Sequence, residues 1–132
     1  TVTNYKLLNP PIDTAKDCLE ADKGVFDGPS GKETYYNMRM NYVVVLMEEK
    51  GYSYDYWVRA DGVKMYGPYV MVAANVAVRP KGTVLPTSRG MGIVVDACEA
   101  ASNNPSLSDI AVNWGYTVDK DGNHVQDWLP EQ

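Results

Sequence analysis

The segment 69–96 constrains the fold more than any other part of this chain. The apolar run Tyr69–Ala74 is followed by a tight turn at Pro80-Lys81-Gly82-Thr83, and a second apolar run, Gly92–Val95, leads directly into Asp96. Short apolar runs bounded by Gly and Pro are typical of buried β-strands. The segment therefore predicts two buried strands, the second of which ends on a carboxylate.

A second carboxylate, Asp109, stands just before another apolar run that continues to Trp114. The ends of short buried strands open to solvent, so a small barrel would place a polysaccharide-cleaving site there. Asp96 and Asp109 are therefore the first candidates for catalytic chemistry.

The rest of the chain predicts short strands and one helix. The run Tyr42–Met47 fits either a buried strand or a helix, but the Lys50-Gly51 end favours a helix that is capped at Asn37 or Asn41. Further strands, joined by Gly- and Pro-containing turns, are predicted at Tyr54–Arg59, Val63–Tyr66, Thr83–Thr87 and Ile110–Trp114, with a hairpin that pairs Tyr116–Val118 with His124–Trp128. This order predicts a mainly β fold, a small closed barrel with an inserted helix.

The N-terminal part of the chain reads as an irregular arm, with one or two helical turns in the region 13–21. It carries Cys18, and the loop after Asp96 carries Cys98. In an oxidising compartment these two cysteines could form one disulfide between arm and loop, and the alternative is two unrelated thiols.

Length and charge limit the possible functions. The 132 residues suit a single domain, and the net charge of −5 with a pI of about 4.7 argues against nucleic acid and against a polybasic membrane contact. No run approaches the length of a membrane span. Because Thr1 is not followed by a basic and apolar leader, we interpret the chain as a mature protein or an excised domain.

Several fragments, in order, resemble the 3D domain, a family named after three aspartates. The run 74–83, Ala-Asn-Val-Ala-Val-Arg-Pro-Lys-Gly-Thr, resembles the segment of the family in which Asp-Pro precedes Ile-Pro-Leu-Gly-Thr. The run 95–98 resembles its Asp-Thr-Gly-Gly, and the run 108–112 resembles its Arg-Ile-Asp before an apolar strand. Thr34-Tyr35 and the run 113–115 resemble its first and last motifs.

The resemblance implies a six-stranded double-psi β-barrel, related to the barrel of membrane-bound lytic transglycosylase A and to the stationary-phase-survival cell-wall proteins. It spans residues 31–118, which leaves 1–30 as the arm and 119–132 as a C-terminal hairpin and tail of one domain, 1–132. It further implies that Asp109 is the catalytic acid and that Asp96 is its partner carboxylate. Asp96 could then raise the pKa of Asp109 by its like charge.

Each candidate also has a structural interpretation. Asp109 could cap a turn, and Asp96 could accept N–H groups of its own loop. Glu99 is a reserve acid, whereas Asn75, at the position of the first family aspartate, can bond a sugar hydroxyl but cannot donate a catalytic proton. Thr34, Tyr35 and Tyr36 could line a sugar groove, although strand alternation would place one of the two tyrosines in the core.

Other sites are less well supported by the sequence. Trp57 and Trp114 fit the core, and His124 beside a polar turn fits a solvated surface. Cys98 with His124 lacks the surroundings of a thiol hydrolase, and the run 119–123 lacks the later acidic ligand of a calcium loop. No metal and no organic cofactor is predicted.

Two hypotheses follow. The first is a peptidoglycan lytic transglycosylase, outside the cell or associated with the wall, whose partner is the glycan strand and whose acid/base is Asp109. The second is a barrel without turnover that binds wall glycan or a protein partner, as Asn75 and the replaced Gly-Gly of the family would favour.

Overall fold

The structure is a computed structural model that describes residues 9–11, 17–118, 120 and 124–127. It is mainly β, as the sequence predicts. The strands are β1 (Phe26–Gly28), β2 (Gly31–Tyr36), β3 (Tyr56–Val58), β4 (Lys64–Tyr66), β5 (Tyr69–Ala74), β6 (Val84–Thr87), β7 (Gly90–Ala97), β8 (Ser108–Ala111), β9 (Gly115–Val118) and β10 (His124–Asp127). Helix α1 (Asn41–Glu49) lies between β2 and β3, and a short 3-10 helix (Glu99–Ser102) lies between β7 and β8.

Strand β5 is the centre of a mixed sheet. One of its edges pairs with β4 near its start and with β8 near its end, both antiparallel, and its other edge pairs with β7 in parallel. Strand β2 continues the sheet beyond β8 in parallel, β1 pairs with β2, β3 with β4, and β6 with β7. Strands β4, β7 and β8 therefore all pair with β5. The pairing of β7 and β8 with β5 places the candidate acids near one another.

The two faces of β5 pack into two apolar clusters because successive side chains alternate between the faces of a strand. Val70, Val72 and Ala74 lie in one cluster, and Met71 lies in the other. The second cluster includes Val43 and Met47 of α1, which are one helical turn apart and fully buried. The inserted helix is thus held against the sheet by one apolar stripe.

The predicted helix is confirmed, with a different start. Gly51 has a positive φ of 101° just beyond the last turn, as expected for a residue that ends a helix. The N-cap residue is Met40, and it makes no side-chain cap. The prediction that Asn37 or Asn41 caps the helix is therefore wrong.

The N-terminal arm is more ordered than the sequence predicts. Phe26–Gly28 forms a strand that pairs with β2. Of the region 13–21, in which the sequence predicted helical turns, residues 17–21 are described and contain no helix. Residues 13–16 lie outside the described residues, as do the turn residues 121–123 and Trp128. The predicted C-terminal hairpin is confirmed by the antiparallel ladder between β9 and β10.

A buried network of charges fastens this arm to the sheet. Asp61 accepts Nη2 of Arg59 at 2.8 Å and Nη1 of Arg89 at 3.2 Å. Arg59 also donates to the carbonyl of Asn9 at 2.9 Å, and Arg89 donates through Nε to that of Leu19 at 2.8 Å. Burial opposes ionisation of Asp61, but the hydrogen bonds and charge of Arg59 outweigh it and hold the pKa of Asp61 below its usual range.

Within the described part of the chain, no helix has the length and the apolar character that crossing a bilayer requires.

Candidate functional site

One row of paired residues crosses the four strands β2, β8, β5 and β7. Thr34 lies opposite Asp109, Asp109 lies opposite Ala73, and Ala73 on its other side lies opposite Asp96. Residues that pair directly across a sheet project from the same face. The row therefore places both candidate acids on one face, with the small side chain of Ala73 between them and their α-carbons roughly 10 Å apart, which is two strand spacings.

A bulge in β7 aims Asp96 at this face. Val72 pairs with Val94 and the next residue, Ala73, pairs with Asp96, so Val95 is an extra residue without a partner on β5. Without this extra residue Asp96 would pair with Ala74 and project into the cluster on the opposite face. Bulges commonly re-aim a side chain in this way beside functional sites.

Asp109 has a partly buried carboxyl with few partners. The hydroxyl of Thr34 donates to Oδ1 at 2.8 Å, and the thiol of Cys98 lies 3.9 Å from Oδ2, which is a long and weak contact. Burial raises the pKa of Asp109, and the contacts with Thr34 and Cys98 offset only part of this rise. The prediction that the charge of Asp96 raises this pKa is wrong, because burial is the cause.

Asp96 is partly exposed, and its Oδ1 accepts the backbone N–H of Ala97 at 2.9 Å. This is the structural interpretation that the sequence left open for Asp96. The bond occupies one lone pair of the carboxylate, which leaves the other oxygen for a ligand or a neighbouring donor.

Cys98 is the loop residue whose thiol contacts Asp109. Its side chain is partly exposed, and burial, followed by the charge of Asp109, raises the pKa of its thiol. Cys98 and the buried Cys18 are both free thiols, so the disulfide that the sequence allowed is not formed. Cys98 instead contacts Asp109.

Cys98 also lines a pocket of about 340 Å³. Its lining combines small apolar side chains with a few polar ones, and it consists of Ala74, Asn75, Val76, Ala77, Ala97, Cys98, Glu99 and Ser102. Such a volume is at the lower end of that of small-ligand sites. The structure therefore brings Asn75, Cys98 and the exposed Glu99 to one pocket, whereas Asp96 and Asp109 are not among its lining residues and Asp109 is linked to it through the contact with Cys98.

The side chain of Asn75 closes its own loop. Its Oδ1 accepts the N–H of Ala77 at 3.0 Å, and its Nδ2 donates to the carbonyl of Ala101 at 3.2 Å. It therefore shapes the pocket wall, and its polar atoms are already engaged.

The two neighbouring tyrosines of β2 face opposite ways. Tyr35 is buried in the core, where its hydroxyl donates to the carbonyl of Ala21 and its ring meets Trp114 edge to face at 4.9 Å. The structure thus does not bring Tyr35 to the site for which the sequence proposed it. Tyr36 is two residues beyond Thr34 on the same face as Asp109, and the charges of Asp96 and Asp109 add to the effect of burial in raising its pKa. The period of two along β2 is the signal that separates them.

Among the described residues, no group of three His, Cys, Asp or Glu side chains could hold a metal ion. Comparison of the chain with protein-family models, with curated proteins and with solved structures gives no match.

Proposed function

We propose that this chain is a cell-wall-associated protein that cleaves peptidoglycan glycan strands by a lytic transglycosylase route, with Asp109 as acid and base. The observation that carries the proposal is the environment of Asp109: a partly buried carboxyl with a raised pKa, oriented by Thr34 and in contact with Cys98, which lines an open pocket.

This chemistry needs only one carboxyl group. The protonated acid donates to the glycosidic oxygen, and the carboxylate then accepts the proton of the sugar's own 6-hydroxyl as that oxygen closes an anhydro ring. A raised pKa favours the protonated form that the first step requires. Burial provides this for Asp109, and no nucleophilic second carboxylate of the kind that a retaining hydrolase uses is required.

Thr34 and Asp96 support the same site from either side of Asp109. The Thr34 hydroxyl fixes one carboxyl oxygen, which leaves Oδ2 as the oxygen directed towards Cys98 and the pocket. Asp96, on the same face two strands away, is suited to bind or orient a sugar hydroxyl with its free oxygen. Glu99, on the exposed rim of the pocket, is suited to the same role.

We also propose that the sheet is a double-psi barrel. The support for it is the pair of parallel ladders, β2 with β8 and β5 with β7, together with the antiparallel contact of β8 with β5 that joins them. A parallel pair requires a long crossover connection, and here two such connections serve one small sheet.

Digestion of purified peptidoglycan tests the activity. We expect anhydromuropeptides with the wild-type protein and none with Asp109→Asn, which keeps the shape of the side chain and removes the proton. Asp27→Asn, on the exposed side of β1, is the matched control and should digest like the wild type. Digestion by Asp109→Asn at the wild-type rate would contradict the assignment.

Binding without turnover is the second candidate, and Asn75 favours it. This residue stands at the position of an acid in the family that the sequence resembles, and its amide is committed to its own loop. If the wild type yields no product but co-sediments with insoluble wall, the binding function replaces the enzymatic one. In that case Asn75→Asp should not restore product formation.

A further inference from the structure

The hydroxyl of Tyr36 is enclosed by protein and has no hydrogen-bond partner. Buried hydroxyl groups are nearly always bonded, because leaving one unpaired forfeits its interaction with water. An unpartnered phenol beside two acids is therefore a feature that calls for a functional reason.

The charged groups that act on Tyr36 come from three places on one face. They are Asp96 on β7, Asp109 on β8 and Cys98 in the loop after β7. Helix α1 and the residue before it add only apolar side chains to the cluster on which Tyr36 packs: Met40, Val43 and Met47. Burial, and then the charges of these neighbours, raise the pKa of Tyr36, so its phenol keeps its proton and remains a donor.

Asp109 is the neighbour that lacks donors. Tyr36 pairs with Ala111, two residues after Asp109 on β8, and an aromatic side chain can reach a diagonal neighbour at this distance. An ionised carboxylate accepts several hydrogen bonds, but Asp109 has one good donor, Thr34, on Oδ1 and only a weak thiol contact at Oδ2. Asp96 already receives a backbone N–H.

We propose that Tyr36 is a positioning residue whose hydroxyl donates a hydrogen bond to the carboxylate of Asp109 when Asp109 ionises. The hydroxyl is buried on the same face of the sheet as the acid, and we expect it to become paired when the proton leaves. A donor that bonds only the ionised form stabilises the carboxylate left after proton transfer and makes Asp109 a stronger acid than burial alone would allow. The role of this bond in catalysis depends on the proposed function, whereas the bond itself does not.

The direct test is an NMR titration of the Asp109 carboxyl in the wild type, Tyr36→Phe and Tyr35→Phe. Loss of a donor to the charged form should weaken acid dissociation of Asp109 about tenfold in Tyr36→Phe. Tyr35→Phe removes the hydroxyl of the preceding residue, whose side chain lies on the opposite face of β2, and it should leave this titration unchanged. An unchanged Asp109 titration in Tyr36→Phe, or an equal change in both variants, would overturn the proposal.

A measurement on the wild type removes any dependence on the folding of a variant. The ring carbon that carries the Tyr36 hydroxyl should shift as Asp109 titrates, with the same midpoint, because the hydrogen bond forms in that step. The corresponding carbon of Tyr35 should not follow this midpoint. If the Tyr36 signal stays constant through the titration, the bond does not form and the proposal fails.

Kinetics on peptidoglycan then separate this proposal from the proposed function. Tyr36→Phe should reduce kcat by up to about tenfold, the factor by which it weakens acid dissociation of Asp109, with little change in KM, since the bond is made only after proton transfer. If the wild type digests no wall but the Asp109 titration still moves in Tyr36→Phe, the proposed function is wrong and the assignment of Tyr36 is supported. If Tyr35→Phe changes kcat and KM as much as Tyr36→Phe does, the role of Tyr36 is not specific and the assignment is overturned.

Discussion

Asp61 and Asp109 are two partly buried carboxyl groups of one small protein, and the structure moves their pKa values in opposite directions. Two guanidinium groups surround Asp61, and its pKa is lowered. Among the side chains in the described part of the chain, Asp109 has only a hydroxyl and a thiol as hydrogen-bond partners, and its pKa is raised by burial. Burial is the largest single influence on both, so the difference comes from the donors that each carboxyl meets.

The comparison separates an acid whose charge is compensated from one whose charge is not. The Asp61 network satisfies a buried charge and ties the arm residues Asn9 and Leu19 to the sheet. The Asp109 site leaves charge under-compensated, with an unpartnered phenol beside it. Perturbed carboxyl groups of the second kind cluster at functional sites, where strain or poor compensation is retained for chemistry.

Removing the charge of Asp61 should have the largest effect. Asp61→Asn leaves Arg59 and Arg89 without a counter-charge, and breaking such a buried pair costs roughly 3–5 kcal/mol of the free energy of unfolding. Urea denaturation at neutral pH measures this loss. Because the pKa of Asp61 is lowered on folding, its contribution is present above the unfolded-state pKa and is lost as the pH falls through the folded-state value.

Asp27→Asn is the control for this measurement, since an exposed carboxylate should contribute within about 0.5 kcal/mol. A loss in Asp61→Asn no larger than that of the control would mean that the two arginines find other partners, and the contrast with Asp109 would disappear.

Removing the charge of Asp109 should have the opposite sign. The folded state binds this proton more tightly than the unfolded chain, so wild-type stability falls as the pH rises from the unfolded-state pKa to the raised folded-state pKa. Asp109→Asn avoids this loss and still accepts the Thr34 hydroxyl through its amide oxygen. At neutral pH we expect the variant to gain roughly 0.5–2 kcal/mol.

The pH dependence sharpens the test. Below about pH 3, where the carboxyl is mostly protonated in both states, Asp109→Asn and the wild type should unfold at nearly the same urea concentration. A variant that is less stable than the wild type at neutral pH would show that the charge of Asp109 is well compensated, as that of Asp61 is.

The smallest expected effect concerns the two thiols, of which one lies near Asp61 and the other contacts Asp109. Cys18 is buried beside the Asp61 network, whereas Cys98 is partly exposed between Asp109 and the pocket. Alkylation of the native protein should therefore modify Cys98 and spare Cys18, as read by mass spectrometry of peptides. It should be slower than for a free cysteine, because burial and Asp109 raise the pKa of Cys98 and reduce the thiolate. Equal labelling of both thiols would contradict this, and so would a mass lower by two hydrogen atoms, which would indicate a disulfide.

Much of the fold could be predicted from local pattern. The apolar run at Tyr69–Ala74, the Lys50-Gly51 stop after α1 and the C-terminal hairpin all have signals within a few residues, and all three are present. The strand at Phe26–Gly28 was not predicted, because its own Asp-Gly sequence does not favour a strand. The hydrogen bonds to β2 across the turn stabilise it instead.

The candidate site could be predicted only in part. The sequence singled out Asp96, Asp109, Thr34 and Asn75 by position, but it gave no means to tell that Asn75 bonds its own loop. It named both Tyr35 and Tyr36, and only the direction in which β2 faces the core assigns one to packing and the other to the acids. The Asp61 network was missed altogether, since its members come from distant segments.

By itself, the sequence determined where most strands and the helix form and which side chains are candidates for chemistry, because these depend on neighbours along the chain. The tertiary structure decided which of those side chains meet. An extra residue at Val95 turns Asp96 to the face of Asp109, and a difference of one position on β2 separates a core tyrosine from a site tyrosine. Side chains alternate along a strand, so strand pairing and register, which are set by distant residues, fix the face that each acid occupies.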